Sequence, residues 1–210
     1  HLKNNLTMLN DNQVTQSMEF FNNEGYCQIN NILNPQLIEY LKIGSSMLEF
    51  ESIQELNDEN GIVKTINKNS IAKYSPNIGE NLLIYLTPIF SQISSKNLIP
   101  TYSFFRKYFQ TNVLEKHSDR PSCQYSATIQ IDSSKDESWP IFLKNKNNKD
   151  IECNSKMGDV IFYKGKEIPH WREELKYEYS SHLFLHWVDG DDPTYKEFWW
   201  DGRERLGSPK

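Results

Sequence analysis

Histidine and cysteine are both scarce: five and three among 210 residues. The cysteines, Cys27, Cys123 and Cys153, are odd in number and lack the paired spacing of a zinc finger, which suits a reducing compartment. No apolar run approaches the ~18 residues of a membrane span, and no secretory leader opens the chain. The expectation is a cytoplasmic protein with no membrane partner. Charge of one sign is not concentrated either. The formal net charge is −5, from 23 basic and 28 acidic residues, and no long basic block occurs. A sequence-independent grip on nucleic acid needs clustered Lys and Arg, so that partner is disfavoured as well. Internal repeats and low-complexity tracts are also missing.

Aromatic residues, by contrast, are plentiful. They make up 13% of a chain that is only 37% apolar. The expected core is therefore built on Phe, Tyr and Trp, with Asn and Lys on the surface. That Asn- and Lys-heavy surface is associated with AT-rich microbial or viral genomes. A chain of this length fits one domain, able to bury about 70% of the surface its unfolded form exposes.

The pattern divides into a helical front and a strand-rich back. "TQSMEFFNNEGY" (15–26) predicts a helix with Met18, Phe21 and Phe20 on one face, stopped by Gly25. "YCQI" follows as a short strand. "NPQLIEYLKIGSSMLEF" (34–50) predicts a second helix, with Asn34 as its cap and Pro35 at its first position. Residues 51–79 are polar and weakly periodic, and read as a long loop or lid. "GENLLIYLTPIFSQI" (79–93) predicts a third helix, with a kink or break at Pro88. From about residue 100 the period becomes two. "TYSFFRKYF", "CQYSATIQID", "WPIFLK", "GDVIFYK" and "HLFLHWV" predict short strands in series, as in a barrel or sandwich. A short helix is expected from about 193. The expected organisation is an extension at 1–14, one domain over 15–190 (helices 15–98, strands 99–190) and a tail at 191–210.

Two of the five histidines stand in "EKHSDR" (115–120) and "EIPHWRE" (167–173). In an extended segment, residues i and i+2 share a face. His117 and Asp119 can therefore offer an imidazole and a carboxylate to one ion. His170 follows the strand "GDVIFYK" and completes a triangle if that region lies beside His117. Two histidines and one carboxylate on one face, with open positions opposite, suit non-haem Fe(II). The same triplet also fits a surface loop, and a histidine at a strand end is often a satisfied side chain.

The stretch "FFRKYFQTNVLEKHSDRPSCQYSATIQID", with "GDVIFYKGKEIPHWRE" and "SSHLFLHWVD" behind it, resembles the core of the Fe(II)/2-oxoglutarate-dependent oxygenases, and within them the prolyl 4-hydroxylase-like branch. "FFNNEGYCQINNILNPQLIEYLK" resembles the helix–strand–helix that precedes that core. The resemblance implies an α+β fold: a double-stranded β-helix, or cupin-like jelly roll, with N-terminal helices packed on it. It implies Fe(II) held by His117, Asp119 and His170, with 2-oxoglutarate and O2 as co-substrates. The implied reaction is hydroxylation of an unactivated C–H bond, of a peptidyl residue such as proline. A free small-molecule substrate and a non-enzymatic metal-binding barrel are the other two readings.

The resemblance also marks residues for 2-oxoglutarate. Tyr108 stands nine residues before His117, where such enzymes often place a tyrosine that hydrogen-bonds the co-substrate; it also fits an ordinary barrel aromatic. Thr128 and Gln130 share a face of the strand after His-x-Asp and either line the pocket or, more readily for Gln130, face solvent. Trp187 matches a late tryptophan of the prolyl hydroxylase branch, or belongs to the core. One departure stands out. The family usually carries Arg or Lys about ten residues after the distal histidine, to pair the far carboxylate of 2-oxoglutarate. Here those positions are Tyr179 and Ser180. Arg172 leads the replacements, against a surface pairing with Glu173 or Glu174. His182 assists on the face of Ser180. Arg120 is held in reserve, against a role bracing its loop. Residues 51–79 and the tail with Trp199 and Trp200 are expected to shape access for substrate.

Overall fold

The computed structural model describes residues 9–57 and 70–210. Helix α1 spans Asp11–Glu24. It opens on a capping box, in which Asn10 accepts from the Gln13 amide and Gln13 from the Asn10 amide. It closes at Gly25, whose φ of +81° is the left-handed conformation that glycine adopts without strain. The helix therefore begins inside the segment assigned to an N-terminal extension, and Leu9 before it is buried. Phe21 faces the core, whereas Phe20 is exposed and stands edge-on to Tyr26.

Strand β1 (Tyr26–Ile29) leads to α2 (Pro35–Asn57), and Asn34 Oδ1 accepts from the Leu37 amide at 2.8 Å as its cap. The reading of 51–79 as one long loop is corrected. Helix α2 continues to Asn57, β2 occupies Ile71–Tyr74, and α3 (Asn77–Ser94) starts before the segment ends. Residues 58–69 lie outside the described residues. The extension of α2 was hidden because Glu, Gln and Leu favour helix without marking an apolar face. Strand β2 is held by its partner: Ile71 pairs with Lys107 and Tyr74 with Phe104. Pro88 does not break α3. It lies on the solvent side, where water can take the carbonyl that its missing N–H leaves free.

Among the described residues, ten strands form two antiparallel sheets. After β2 come β3 (Leu98–Phe109), β4 (Leu114–His117), β5 (Tyr125–Ser133), β6 (Ile141–Lys144), β7 (Asp150–Cys153), β8 (Val160–Tyr163), β9 (His170–Arg172) and β10 (Tyr179–Asp189). The larger sheet runs β1-β8-β5-β10-β3-β2 and the smaller β4-β9-β6-β7. Two facing sheets in this order, with helices on the outside, make the α+β double-stranded β-helix.

Alternation along the strands gives the larger sheet two unlike faces. Outward, Phe105, Ala127, Ile129, Phe162, Leu183 and Leu185 join Phe21 of α1 and Leu83, Phe90 and Ile93 of α3 in the main core. Phe162 is stacked between Phe21 at 4.6 Å and Phe90 at 4.4 Å. Trp187 belongs to this core, its indole N–H donating to Thr87 Oγ1. Inward, the same strands present Ser126, Thr128, Gln130, Arg106, Tyr108, His182 and His186, most of them nearly inaccessible to solvent. So large a buried polar face is costly unless each group finds a partner.

Two short 3-10 turns within Pro193–Gly202, parted by a kink where Trp199, Trp200 and Asp201 leave the helical conformation, begin the tail. The tail then turns back onto the domain. Arg203 pairs with Glu80 of α3 at 2.6 Å and donates to the Thr101 carbonyl at 3.0 Å, while the other Glu80 oxygen accepts from the Gly207 amide. Both side chains are buried. Among the described residues no helix is long and apolar enough to cross a membrane.

Removing one partner of a buried ion pair strands the other charge. Glu80→Ala is expected to destabilise the protein by about 3–5 kcal/mol, measured by urea denaturation against wild type. A loss within about 1 kcal/mol, the range of a surface pair, would show that the tail does not seal this pair from water.

Candidate metal centre

Strands β4 and β9 run antiparallel with His117 opposite His170. Their rings lie 4.3 Å apart between centroids. Asp119 follows two residues after His117, and its amide is tied to the Gly165 carbonyl at 2.9 Å. A side chain on Gly165 would strike Asp119 Oδ2 and Ser126 Oγ, so only glycine allows this approach. The result is convergence: Asp119 Oδ1 lies 3.5 Å from Nε2 of His117 and 3.5 Å from Nε2 of His170.

The proton positions follow from the neighbours. Nδ1 of His117 faces the Glu115 carbonyl at 2.7 Å, and Nδ1 of His170 faces the Ile168 carbonyl at 2.9 Å. A carbonyl only accepts, so each Nδ1 carries a proton; Nε2 donates to Asp119 when the imidazole is protonated and turns a lone pair to the same side when it is neutral and free to hold a metal. Ser126 Oγ donates to Asp119 Oδ2 at 2.7 Å, and its oxygen then takes the Nδ1–H of His186 at 2.9 Å. The carboxylate is thus fixed through Oδ2 while Oδ1 stays with the imidazoles. Burial alone would raise the Asp119 pKa, but hydrogen bonds from His117 and His170 outweigh it and hold the carboxyl far below its usual range. Asp119 in turn raises the His117 pKa against the effect of burial. Burial pushes His186 down to about 4, so it is neutral.

Two nitrogens and an oxygen with free lone pairs, gathered on one face, fit a divalent ion of intermediate softness. A cavity of about 310 Å³ opens in front of them, lined among others by Tyr102, Phe104, Arg106, Tyr108, Tyr163 and Phe184. A larger groove of about 500 Å³, beside Phe20, Tyr26 and Cys153, contains none of the three donors.

Behind Tyr108, on the inward face of β9, lies Arg172. It is only 2% exposed, which overturns the surface pairing with Glu173 or Glu174. Its guanidinium donates to the Trp139 carbonyl and to Thr128 Oγ1 at 3.1 Å, and approaches His182 Nδ1 at 3.5 Å. Its Nε has no partner, and among the described residues no carboxylate pairs with it. Burial lowers its pKa to about 10, with neighbouring phenols such as Tyr108 and Tyr163 opposing, so it remains charged at neutral pH. His182 is held neutral by burial and by Arg172, and its Nε2–H donates to Ser180 Oγ at 2.8 Å. It orients Arg172 and lies next to Ser180, one of the two positions where a base is missing.

The other marked residues separate. Tyr108 is buried at the cavity wall, edge-on to Trp139 and beside Arg106. Thr128 reaches the site through Arg172. Gln130 is buried rather than solvent-facing: its amide donates to the Glu137 carbonyl and its oxygen accepts from the Trp139 amide, since β10 and the 137–139 segment cover it. Arg120 sits at the mouth, 3.2 Å from Asp201 and over the Tyr102 ring, and braces its loop to the tail. Sequence reasoning missed Ser126, His186, Tyr163 and Arg106. Spacing held a signal for two of them: Ser126 shares the face of Thr128, and His186 that of His182.

A metal must displace protons from the imidazoles. Because Asp119 raises the His117 pKa, competition should begin above the ordinary histidine value. Divalent-metal affinity, titrated from pH 8 to pH 5, is expected to fall steadily toward acid. A flat profile would remove the histidines from the ligand set.

No protein-family profile matches the chain, and no curated protein matches it in sequence. Solved structures do match in shape. A prolyl-4-hydroxylase from Pseudomonas putida superposes with a TM-score of 0.66 at 12% identity, over 84% of this chain and 100% of that one. HygX from Streptomyces hygroscopicus, solved with nickel, 2-oxoglutarate and hygromycin B, gives 0.65 at 10% identity, over 87% and 88%. A prolyl hydroxylase from Trichoplax adhaerens, in complex with a hypoxia inducible factor peptide fragment, gives 0.61 at 12% identity, over 88% and 94%. The chain has the double-stranded β-helix fold of the Fe(II)/2-oxoglutarate-dependent oxygenases, prolyl-4-hydroxylases among them.

Proposed function

We propose that this protein is an Fe(II)- and 2-oxoglutarate-dependent dioxygenase that hydroxylates an unactivated C–H bond. One observation carries the reading: Arg172, a buried guanidinium without a carboxylate partner among the described residues, stands two residues from His170 of the three-donor face, on the same strand. In this proposal His117, Asp119 and His170 hold the iron, and Arg172 takes the distal carboxylate of 2-oxoglutarate. When bound, the iron supplies the oxidising chemistry, coupling oxidative decarboxylation of 2-oxoglutarate to succinate with hydroxylation by O2.

The chain's own part is positional and electrostatic. The Nδ1–H bonds to the Glu115 and Ile168 carbonyls fix the ring orientation and aim each Nε2 at the metal position. Ser126 and His186 keep the Asp119 carboxylate turned toward them. Arg172, oriented by Thr128 and His182, offers a forked donor to a carboxylate in a site of low dielectric. Tyr108 stands beside it as a further donor. Phe104, Phe184 and Leu114 wall the cavity with apolar surface and exclude water from the reacting carbon. A cavity of this volume takes one side chain of a peptide or a small molecule. A peptidyl residue such as proline is the first substrate class, supported by the fold shared with prolyl hydroxylases. A free small molecule is the second, supported by the fold shared with HygX.

His117→Ala and Asp119→Ala are each expected to abolish Fe(II)-dependent conversion of 2-oxoglutarate to succinate while the circular dichroism spectrum stays that of wild type. Full turnover in either variant would sink the iron assignment.

Arg172→Ala is expected to raise the KM for 2-oxoglutarate before it alters metal affinity. Stranding a buried carboxylate costs about 3–5 kcal/mol, or roughly two to three decades at ~1.4 kcal/mol each. Arg120→Ala should shift it less than tenfold, and His182→Gln should fall between. A large effect at Arg120 with a small one at Arg172 would move the anchor to the cavity mouth.

A further inference from the structure

Two guanidiniums line the cavity in front of the three donors, Arg120 at its mouth and Arg106 on its wall. Arg106 lies on the inward face of β3, with only 8% of its surface exposed. Its Nε and Nη2 reach Ser70 Oγ at 3.3 and 3.2 Å, and it stacks 4.5 Å from the Tyr108 ring centre. Both neighbours are neutral. Among the described residues no carboxylate pairs with it. The carboxylate at the cavity mouth, Asp201, is already shared by Arg120 at 3.2 Å and Lys210 at 2.5 Å, with the Tyr74 hydroxyl as a further donor. The adjacent Lys107 points to the opposite face of the sheet and pairs with Glu49.

Charge balance gives this arginine a meaning, on the reading that the site binds iron and 2-oxoglutarate. A metal dication and Arg172 are offset by Asp119 and the dianionic co-substrate. Imidazoles that ligate a metal are neutral. The loaded centre is then electrically balanced, and Arg106 adds a buried positive charge with no carboxylate of its own on the cavity wall, inward of the Arg120–Asp201–Lys210 cluster at the mouth. A desolvated cation is costly until an anion joins it.

We propose that the substrate carries a carboxylate or comparable monoanionic group, and that Arg106 is the specificity residue that receives it. Distance sets a second property of that substrate. Along β3 the inward residues run Tyr102, Phe104, Arg106. Tyr102 packs on His186 at the metal end of the cavity, with 4.6 Å between ring centres. Arg106 lies four residues further, about 13 Å along the strand. The anion and the reacting carbon are thus separated by several bonds, with Phe104 and Phe184 covering the apolar stem between them.

The test uses protein loaded with Ni(II) and 2-oxoglutarate, after calorimetry of 2-oxoglutarate binding. Hexanoate and octanoate are then titrated beside hexanamide and octanamide, which match them in shape but lack the charge. Wild type is expected to bind each carboxylate at least tenfold more tightly than its amide, and Arg106→Gln to lose that preference. Equal binding of acid and amide, or binding of neither, overturns the proposal while leaving the oxygenase reading intact. Loss of 2-oxoglutarate binding in Arg106→Gln to the degree seen in Arg172→Ala would make Arg106 the co-substrate's anchor and also overturn it. Failure of the loaded wild type to bind 2-oxoglutarate would instead remove the reading on which the charge balance rests.

Discussion

The Asp119 carboxylate, buried between two imidazoles, is the constraint on which the rest of the inner structure depends. A carboxylate in that position is unfavourable by desolvation, and it stays ionised because donors surround it. Meeting that requirement fixes much else. Gly165 must lack a side chain so that its carbonyl can hold the Asp119 amide. Strands β4 and β9 must pair in the one register that sets His117 opposite His170. Ser126 of β5 and His186 of β10 must reach across from the facing sheet. The two sheets are joined through this carboxylate as well as through their apolar contacts.

Around that centre the larger sheet divides its labour by alternation. Its outward side chains build the aromatic and aliphatic core with α1 and α3, and this is where the stability resides. Its inward side chains are polar, buried and mutually bonded, so the cavity can hold charge without collapsing. The tail closes the arrangement at two points. Arg203 is anchored on Glu80, and Asp201 gathers Tyr74, Arg120 and Lys210 beside the cavity mouth. Shape likeness at identities of 8–14% is consistent with this division: the alternation is a pattern that many side chains can satisfy.

Legibility in the sequence followed the range of the interactions. The helix starts were readable because a cap is local: Asn34 bonds three residues ahead. Strands rich in β-branched and aromatic residues were readable from their period. Strands β2 and β7 were not, since "IAKY" and "DIEC" are strands by virtue of their partners. The end of α2 was missed because a polar helix and a polar loop look alike in composition. Pro88 was expected to kink or break α3, yet the helix runs on because the lost bond falls on the solvent side.

The candidate site divides in the same way. Sequence by itself determined that His117 and Asp119 share a face, because alternation in an extended strand is set by local backbone geometry. It also exposed the absence of a base at 179–180 and the presence of Arg172 nearby. Only the tertiary structure decided that Arg172 is buried without a counter-ion, that His182 orients it, and that Ser126 and His186 hold the carboxylate. Arg106, too, became visible only once β3 was placed beside β10. The physical reason is that burial and charge pairing are properties of neighbours in space. Residues 60 or more positions apart, such as Ser126 and His186, acquire their roles only when the sheets close on each other.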